Sequence, residues 1–556
     1  MFIKVIKNNA LVVLIAGVSA MLFFKSGSWG VSETSEARYA EISREMALSG
    51  NWLHPKLLGI GHYHKPPLTY IITVFSYKLW GVNPFAVRFF LQLAAIFQMV
   101  LVYGIGMILF KDKRTALLSA IIYISLPAVL ISTRALTTDA FLATFALLAI
   151  FSWMKYRTQG QLPFLYGFYG FLALGFLTKG PLIFVVPVVV VCGFNQYYSG
   201  KTGNTRHHFI AIIGSTLLGF SWFIKLTLDN PQFIDYFLVR HLYERLTDPA
   251  AFNRSQPFWY YLLIAPSISF PWFFLVTMQF IKCGSLRIKA SPIQKVLFLW
   301  VFPALIFFSF SSSKLILYIL PIFPGIALAS AYFLTKINLK TLKVLLRVQL
   351  IYHTFAIAAL ILLPPFFLNI PWIWEVVWLS AMLLICLVII SSTGRISTPS
   401  KITVSALVFT LSLMVIATFI FSANPASINS TQHLAAFIKE NKLDNRPILI
   451  YNTRLPSIAF HLNKDIISIA DNHPSLKRET QFELDENWRN LLLNLNTRQD
   501  VDRLKGYLKK RAVLIVKNDL PENRKWLANN YCKTINIDHW KIFYNRQYKP
   551  CALAGD

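Results

Sequence analysis

Long apolar runs alternate with short polar breaks over the first three quarters of the chain. A helix that spans a bilayer needs roughly 17–25 mostly apolar residues. The segments that meet or approach this length are 8–24, 86–110, 115–132, 140–156, 163–178, 181–197, 207–228, 258–281, 294–311, 314–334, 343–367, 372–391 and 401–422. The division between the fifth and sixth depends on the polar break "TKGP" at 178–181. The pattern predicts an α-helical polytopic membrane protein with about 13 spans.

The cations that flank these runs predict the orientation of the chain. With the N-terminus in the cytoplasm, every inside loop carries at least two Lys or Arg residues, such as "KDKR" at 111–114, whereas the short outside loops carry one or none. An odd number of spans then places the C-terminal tail outside. The first segment could be a signal peptide, but its small-residue cleavage pattern is poor, so we predict an uncleaved span.

Three polar regions are predicted to face outward: a first loop at 25–85, a second at 229–257, and the tail. The tail alternates amphipathic patterns such as "TQHLAAFIKENK" with short apolar runs such as "PILIY", which is typical of a small α/β domain. We therefore predict a transmembrane domain at 1–422 and a periplasmic α/β domain at 423–556. In an oxidising periplasm, Cys532 and Cys551 could form a disulfide or remain two unpaired thiols.

The composition supports a membrane protein and argues against nucleic-acid binding. Of the 556 residues, 55% are hydrophobic and 14% are charged, against roughly 25% charged residues in soluble proteins. The formal net charge is +29, but the Lys and Arg residues flank apolar runs along the whole chain and do not cluster on one basic face. We predict membrane lipids, and no nucleic acid, as partners.

The first outer loop begins with a predicted amphipathic helix over 36–48. Ser32 or Thr34 can cap it, and "SGNW" ends it with a glycine. Its apolar positions are too few to span a bilayer, so we predict that it lies in the membrane interface. The charged side chains that can pair along its other face are Arg38, Glu41, Arg44 and Glu45. These charges could simply solvate the helix, or those crowded at its start could serve a site.

The segment "HYHKPPLTY" at 62–70 combines histidines, a lysine and two prolines that exclude regular helix. Lys65 is therefore predicted at a rigid corner, where its ammonium group could bind a lipid phosphate or simply decorate the outer surface. His62 and His64, two apart in an extended stretch, project to the same face. They could bind a divalent metal ion, but the sequence identifies no further ligand.

The stretch "ETSEARYAEISREMALSGNWLHPKLLGIGHYHKPPLTY" resembles the first periplasmic loop of the ArnT-like glycosyltransferases, in the bacterial branch of the protein-mannosyltransferase superfamily. Further similar blocks follow in the same order: "RALTTDAFL" at 134–142, "GFLTKGPL" at 175–182, "FWYY" at 258–261, "FPW" at 270–272 and "SSSKLILYILPIFPGIAL" at 311–328. The resemblance covers residues 1 to about 335, whereas the tail is similar only in type.

This resemblance implies a GT-C type membrane fold with interfacial helices in the first periplasmic loop. It implies transfer of a sugar, such as 4-amino-4-deoxy-L-arabinose, from undecaprenyl phosphate to lipid A or another envelope acceptor at the bacterial inner membrane. By motif position, the donor phosphate would contact Lys65, Arg245, Lys314 and Tyr318, and Asp139 would be a catalytic carboxylate. Arg240 and Arg254 are alternatives to Arg245. Further site candidates in the matched loop are Arg38, Tyr39, His62 and Tyr63. A monomer that requires no cofactor, or at most a divalent metal ion, is expected.

Two departures from the family pattern affect the predicted chemistry. The family has Asp-Glu before "xRY", and that Asp is taken as the catalytic base, whereas this chain has Ser35-Glu36. Glu33 or Glu36 could replace the base, or the mechanism could differ. The aminoarabinose transferases have Glu immediately before the lysine, where this chain has His64, the candidate metal ligand.

Other functions remain open from the sequence. The acceptor could be a protein or another glycan, since the motifs concern the donor. A transporter or flippase for a lipid-linked sugar would be expected to show repeated halves and ionisable groups at mid-membrane, neither of which the sequence shows. A receptor-like protein with a ligand-binding tail would leave the charged first loop unexplained.

Overall fold

The computed structural model describes residues 9–33, 35–198, 205–237, 256–285, 290–367, 372–483, 485–509 and 511–545. It divides into two compact units. We call residues 1–26 and 88–420 the membrane unit, and residues 27–87 and 421–556 the loop–tail unit. These units divide the chain differently from the predicted domains at 1–422 and 423–556, because the first loop clusters with the tail. Arg245 and Cys551, and most of the second predicted outer loop, lie outside the described residues.

Apolar helices form the membrane unit. In chain order they are α1 (Ala10–Phe23), α4 (Pro84–Phe110), α5 (Lys113–Ile124), α6 (Pro127–Arg134), α7 (Thr138–Gln159), α8 (Leu162–Lys179), α9 (Val185–Tyr197), α10 (Thr205–Asp229), α11 (Gln232–Asp235), α12 (Tyr260–Ser267), α13 (Trp272–Ser285), α14 (Pro292–Phe310), α15 (Phe323–Leu334), α16 (Leu339–Phe367), α17 (Trp374–Ser392) and α18 (Thr398–Ala423). Two 3₁₀ segments, Gly180–Phe184 and Ile316–Ile322, precede α9 and α15. The helices α2 (Ser35–Ser49) and α3 (Leu68–Trp80) belong to the loop–tail unit.

Nine helical stretches of the described chain are long and apolar enough to cross a membrane, and two bent pairs, α5–α6 and α12–α13, raise the number to eleven. The pairs bend by 53° and 113°. Proline begins α6, and the segment 268–271 between α12 and α13 contains a proline. Lacking an N–H group, proline interrupts the helical hydrogen-bond ladder, which accounts for breaks at these points.

The 36-residue stretch Leu162–Tyr197 turns back on itself. Trp153 on α7 contacts both Phe168, with ring centres 4.8 Å apart, and Asn195, which accepts its indole N–H at 2.9 Å. Along one straight helix those two partners would be about 40 Å apart. The chain therefore reverses near Gly180, whose φ of +70° favours glycine, and the break predicted at "TKGP" is confirmed.

Each of the predicted apolar segments thus coincides with a helix or a bent helix pair in the described residues. The first, α1, has 14 residues and falls below the length at which a helix of the described chain can cross a membrane. The core contains large aromatic side chains that are fully buried, among them Trp272, Trp300, Tyr123, Tyr156, Phe194 and Phe323. Other helices expose large apolar side chains: Phe209, Leu217 and Leu228 on α10, and Ile351 and Phe355 on α16. Such surfaces are expected where lipid is the solvent.

The tail forms a six-stranded sheet in the order β5-β4-β3-β6-β8-β7. Its strands are β3 (Ile448–Tyr451), β4 (Ile467–Ala470), β5 (Leu492–Asn494), β6 (Val513–Lys517), β7 (Lys533–Ile537) and β8 (Trp540–Tyr544). Strands β3 to β6 pair in parallel, and β8 pairs antiparallel with both β6 and β7. Continuous apolar runs at β3 and β6 suit central strands buried on both faces. With helices α19 (Gln432–Glu440), α20 (Pro456–Leu462) and α21 (Arg498–Lys509), the sheet forms the small α/β domain that the sequence predicted.

The first loop contributes α2 (Ser35–Ser49), a short antiparallel hairpin of β1 (Lys56–Leu57) and β2 (Ile60–Gly61), and α3 (Leu68–Trp80). The predicted amphipathic helix is present, but its charges are not solvated. Glu36, Glu41 and Arg44 are buried, because α2 packs against α3 and against α20 of the tail. Arg44 donates to Glu41 at 2.7 Å and to Asp465 of the tail at 3.0 Å.

Candidate functional site

A buried ionic group lies at the ends of three elements of the membrane unit. Asp139 is the second residue of α7, Lys179 is the last residue of α8, and Tyr318 lies in the 3₁₀ segment before α15. Lys179 Nζ donates to Asp139 Oδ1, and the two side chains are 2% and 5% exposed. The same Nζ lies 3.7 Å from the centre of the Tyr318 ring. The structure thus brings the predicted residues Asp139 and Tyr318 together around Lys179.

This arrangement stabilises a cation where water is scarce. A buried charge is costly unless it is paired, and here the carboxylate and the aromatic face both stabilise the ammonium group. An incoming phosphate oxygen would meet the same positive charge and could compete with Asp139 for it. Ionisable groups at the ends of membrane helices are functional candidates by default.

Lys314 has a different set of contacts. Its side chain is buried, and Nζ donates to the backbone carbonyl of Gln256 at 2.8 Å. One residue later, the carbonyl of Leu315 accepts the hydroxyl of Tyr261 at 2.8 Å. These bonds attach the segment before Tyr318 to the chain that leads into α12. Lys314 therefore holds the backbone in this structure, and its predicted contact with phosphate stays a prediction.

Both candidate bases of the first loop accept hydrogen bonds within the loop–tail unit. Glu36 Oε2 accepts from the Ser32 N–H at 2.9 Å and from its hydroxyl at 3.2 Å, which closes the start of α2. Glu33 Oε1 accepts from the N–H of Ser457, at the start of α20, at 2.7 Å. These two contacts stabilise the fold of the loop–tail unit.

Glu33 nevertheless keeps a property that a general base needs. Burial raises the pKa of its carboxyl from 4.5 to about 7, although the hydrogen bond from Ser457 and the charges of Arg454 and Arg38 act in the opposite direction. A base is most effective when its pKa lies near the working pH. The ionisation of Glu33 would therefore respond to conditions near neutrality, as would that of Glu45 in the same loop, because burial raises the pKa of the Glu45 carboxyl to about 8.

The hairpin that leads into "HYHKPPLTY" is clamped at its turn. Leu58 and Gly59 have φ of +51° and +76°, and their N–H groups donate to the carboxylate of Glu45 at 2.5 and 3.0 Å. Arg478 of the tail donates to the carbonyls of Leu57 and Ile60 at 2.8 and 3.0 Å. The turn is therefore held on both sides.

Beyond the hairpin, the predicted corner is present. Lys65 is half-buried in a bend, Pro66 and Pro67 are buried, and α3 begins at Leu68. Tyr63 packs edge-on against Phe482 of the tail, with ring centres 5.7 Å apart. The prolines thus set the direction in which the chain leaves the lysine.

His62, His64 and Glu479 form a cluster between the first loop and the tail. The imidazole rings have centres 4.0 Å apart, and His64 Nε2 lies 2.8 Å from Glu479 Oε1. One ligand atom from each residue lies within 4.8 Å of the others. Burial, followed by the charges of His64, Arg38, Arg478 and Arg454, lowers the pKa of His62. Burial alone would raise the pKa of Glu479, but His64 and Arg478 lower it to about 2.

Arginines surround this cluster. The Arg38 guanidinium lies 5.7 Å from the Tyr39 ring, which packs on Tyr70 with ring centres 5.4 Å apart. Burial, together with the charges of Arg38 and Arg478, lowers the pKa of Arg454 to about 10. Two of these arginines come from the tail, so the loop–tail unit is strongly positive here.

Sequence reasoning missed Lys179, Arg454, Arg478 and Glu479 as site residues. Lys179 stands in the matched block "GFLTKGPL" and so carried a signal, but a single lysine in a short loop does not by itself distinguish a site residue from a flanking cation. The tail residues carried none, because the tail matches the family by no motif.

Comparisons with known proteins show what the chain is similar to. The family model described as dolichyl-phosphate-mannose-protein mannosyltransferase matches residues 10–237. The chain is 35% identical over 301 residues to the undecaprenyl phosphate-alpha-4-amino-4-deoxy-L-arabinose arabinosyl transferase of Aeromonas hydrophila, covering 53% of this chain and 54% of that protein. It is 30% identical over 358 residues to the protein of the same name from Yersinia enterocolitica, covering 63% and 64%. The matches thus span about half to just under two thirds of these relatives.

Among solved structures, ArnT from Cupriavidus metallidurans bound to undecaprenyl phosphate matches with a TM-score of 0.78 at 18% identity, over 99% of each chain. At this identity the likeness shows the fold. The chain is therefore a multi-pass membrane protein of the predicted GT-C class with a small C-terminal α/β domain. The predicted resemblance to the ArnT-like glycosyltransferases of the protein-mannosyltransferase superfamily is confirmed.

Proposed function

We propose that the protein is an integral-membrane glycosyltransferase that moves a sugar from undecaprenyl phosphate to lipid A or another envelope acceptor. The observation that carries the proposal is the buried Asp139–Lys179–Tyr318 group, in a chain with the fold of an ArnT structure that holds undecaprenyl phosphate. Identity of 35% over 301 residues to an aminoarabinose transferase supports it.

In this reaction the bond between the sugar C1 and the phosphate oxygen breaks, and a bond from C1 to an acceptor oxygen forms. The leaving phosphate gains negative charge, so fixed cations that meet it lower the barrier. Lys65, Lys179 and Tyr318 are the proposed phosphate contacts, and a carboxylate receives the acceptor's proton. We assign that role to Glu33 or Asp139, because Ser35 occupies the position of the family's usual base.

The sugar is proposed to be an amino sugar, by analogy with the relatives' names. A protein or glycan acceptor is the second candidate, since the site residues concern the donor. A flippase is disfavoured by the position of the Asp139–Lys179 pair at helix ends, since transporters bind their substrates near the middle of the membrane.

We propose that the N-terminus is cytoplasmic and that the loop–tail unit is periplasmic, in a bacterial inner membrane. Residues 27–87 and 421–556 pack as one unit, which requires both on the same side of the bilayer. In the described residues, twelve of the predicted spans lie between the first loop and the tail. This count takes α8 and α9 as two spans and each bent helix pair as one span. An even number agrees with that requirement, and the cation distribution supports the orientation.

The function is tested with purified full-length protein, synthetic undecaprenyl-phosphate-linked aminoarabinose and lipid A, by mass spectrometry of the lipid A product. We expect a mass increase of one sugar, its loss in Lys65→Ala, and its retention in the control Lys505→Ala, an exposed tail lysine. Donor translocation without any sugar transfer would support the flippase and contradict the proposal. Full activity in Lys65→Ala would contradict the proposed phosphate contact.

A further inference from the structure

The cluster of His62, His64 and Glu479 has the composition of a zinc site. Two imidazole nitrogens and one carboxylate oxygen are a ligand set that zinc ions use when three protein ligands leave the fourth position open. The atoms already lie within 4.8 Å of one another. The first loop supplies both histidines and the tail supplies the carboxylate.

One ring nitrogen of a histidine in this cluster lacks a hydrogen-bond partner. His62 is 1% exposed, and its Nδ1 is buried with no hydrogen-bond partner in the described part of the chain. A buried imidazole nitrogen without a partner costs free energy. Coordination of a metal ion by the His62 imidazole would offset this cost and would explain why the ring is buried in this orientation.

The other two residues of the cluster, His64 and Glu479, share a proton in a hydrogen bond. His64 Nε2 and Glu479 Oε1 lie 2.8 Å apart, with side chains 28% and 14% exposed. Ligands of a tetrahedral zinc ion lie about 3.3 Å apart when their bonds are about 2.0 Å long. A metal ion would therefore replace the shared proton after a separation of roughly half an ångström, within the reach of side-chain rotation alone.

We propose that His62, His64 and Glu479 bind one zinc-like divalent ion that joins the first loop to the tail. The fourth position takes an oxygen ligand. Because Arg38, Arg454 and Arg478 lie around the cluster, their positive charge weakens binding of a bare cation and favours an anionic oxygen, such as phosphate, as that fourth ligand. Metal binding itself does not depend on the proposed transfer reaction.

The test measures metal binding by the full-length protein in detergent, without donor or acceptor. Metal is removed with a chelator, Co²⁺ is added as a spectroscopic probe, and Zn²⁺ is added in competition. We expect one Co²⁺ per chain with the visible absorption of tetrahedral coordination, displaced by Zn²⁺. Addition of phosphate should change that absorption if an anionic oxygen occupies the fourth position.

The variants locate the site. His64→Ala and Glu479→Gln should weaken Co²⁺ binding at least tenfold, since even groups that only orient ligands contribute about 10–100-fold. The control is His473→Ala, an exposed histidine of the same domain outside the cluster. Glu479→Gln keeps the shape of the side chain and its hydrogen bond to His64, so it serves if His64→Ala does not fold.

A thermal melt provides a second measurement. Zn²⁺ should raise the melting temperature of the wild type and of His473→Ala but not that of Glu479→Gln, because a ligand that binds only the folded state stabilises it. Absence of stoichiometric Co²⁺ in the wild type, or undiminished binding by Glu479→Gln, would overturn the proposal. Neither result bears on sugar transfer, which is measured separately.

Discussion

Lys179 and Asp139 depend on each other because neither is exposed to solvent that could stabilise its charge. The pair also lies against Tyr318, which makes Lys179 a candidate for phosphate binding as well as for folding. The two roles can be separated, because the stability of the pair depends on charge balance whereas phosphate binding depends on the ammonium group itself.

We expect Lys179→Met to lower the free energy of unfolding by about 3–5 kcal/mol, since it leaves a buried carboxylate without its partner. Lys179→Met/Asp139→Asn should regain most of that stability and still lack transfer activity. Thermal melts and the lipid A assay measure the two quantities. A double variant with normal transfer would show that the pair has only a structural role.

Glu33 gives the loop–tail unit a pH dependence. Its pKa is about 7 in the folded protein against 4.5 ordinarily, so between these values the folded state holds a proton that the unfolded state has released. The contribution of this group to stability therefore falls as pH rises from 4.5 to 7, by at most about 1.4 kcal/mol per pH unit.

Glu33→Gln should remove the part of this slope that Glu33 contributes, while the part from Glu45 remains, and it should leave the protein more stable than the wild type at pH 8 because the amide oxygen can still accept from Ser457. Melting temperatures of both proteins between pH 4.5 and 8 measure the difference. Parallel curves would contradict the assignment.

At the residue scale, motif position along the chain was sufficient to identify Asp139, Tyr318 and Lys65 as candidates. It could not reveal that Lys179 connects the first two, since the partners are separated by 40 positions or more and only helix packing brings them together. Nor could it show that Glu33 and Glu36 cap helices, because their hydrogen bonds depend on the backbone geometry at Ser457 and Ser32.

Among the elements, the β1–β2 hairpin is too short to be stable alone, and tail side chains hold it. Arg478 bonds two of its carbonyls, and Glu483 accepts from the N–H of Gly61 at 2.5 Å and from Lys56 at 2.9 Å. The segment that carries Lys65 is therefore positioned by a domain more than 400 residues later in the chain.

Arg478→Met should release the two hairpin carbonyls and increase hydrogen exchange over residues 54–64, with little change in peptides of β3 and β6. Exchange measured by mass spectrometry on the full-length protein gives the comparison. The control is Lys477→Met, an exposed neighbour. Equal exchange in the two variants would mean that the hairpin does not depend on Arg478.

The span elements were predictable because lipid imposes a minimum apolar length on each one. The ends and bends of the spans were less predictable from the sequence. Helix α4 begins at Pro84, two residues before the predicted start at residue 86, and the predicted span 258–281 is a helix pair bent by 113°. The amphipathic helix α2 was predicted with nearly correct bounds. Its burial was not, since apolar periodicity does not show that a neighbouring domain will cover the charged face.

For the whole molecule, the main result is that the first loop and the tail form one unit. The isolated bridge between Ser32 and Ser430 and the hydrogen bond from the Gly30 N–H to Gln432 Oε1 at 2.6 Å begin this association at the start of the first loop. Cys532 of the tail is disulfide-bonded, which agrees with the periplasmic location that we propose for this unit.

The proposed orientation predicts which positions a membrane-impermeant thiol reagent reaches in intact cells whose outer membrane has been permeabilised. With the native cysteines replaced, Asn51→Cys and Asp502→Cys should both be labelled, whereas Lys113→Cys should react only after the inner membrane is disrupted. All three side chains are exposed. Labelling of Asn51→Cys without Asp502→Cys would contradict the even number of spans between them.

The sequence by itself determined the membrane class, the positions of the apolar segments, the α/β character of the tail and the loop motif around Lys65. Each of these follows from local composition and periodicity, which solvent and backbone geometry constrain directly. Only the tertiary structure decided that Lys179 joins Asp139 and Tyr318, that the tail covers the first loop, and that Glu479 meets the two histidines. Those contacts join residues tens to hundreds of positions apart, and the pattern along the chain does not record which distant side chains will meet.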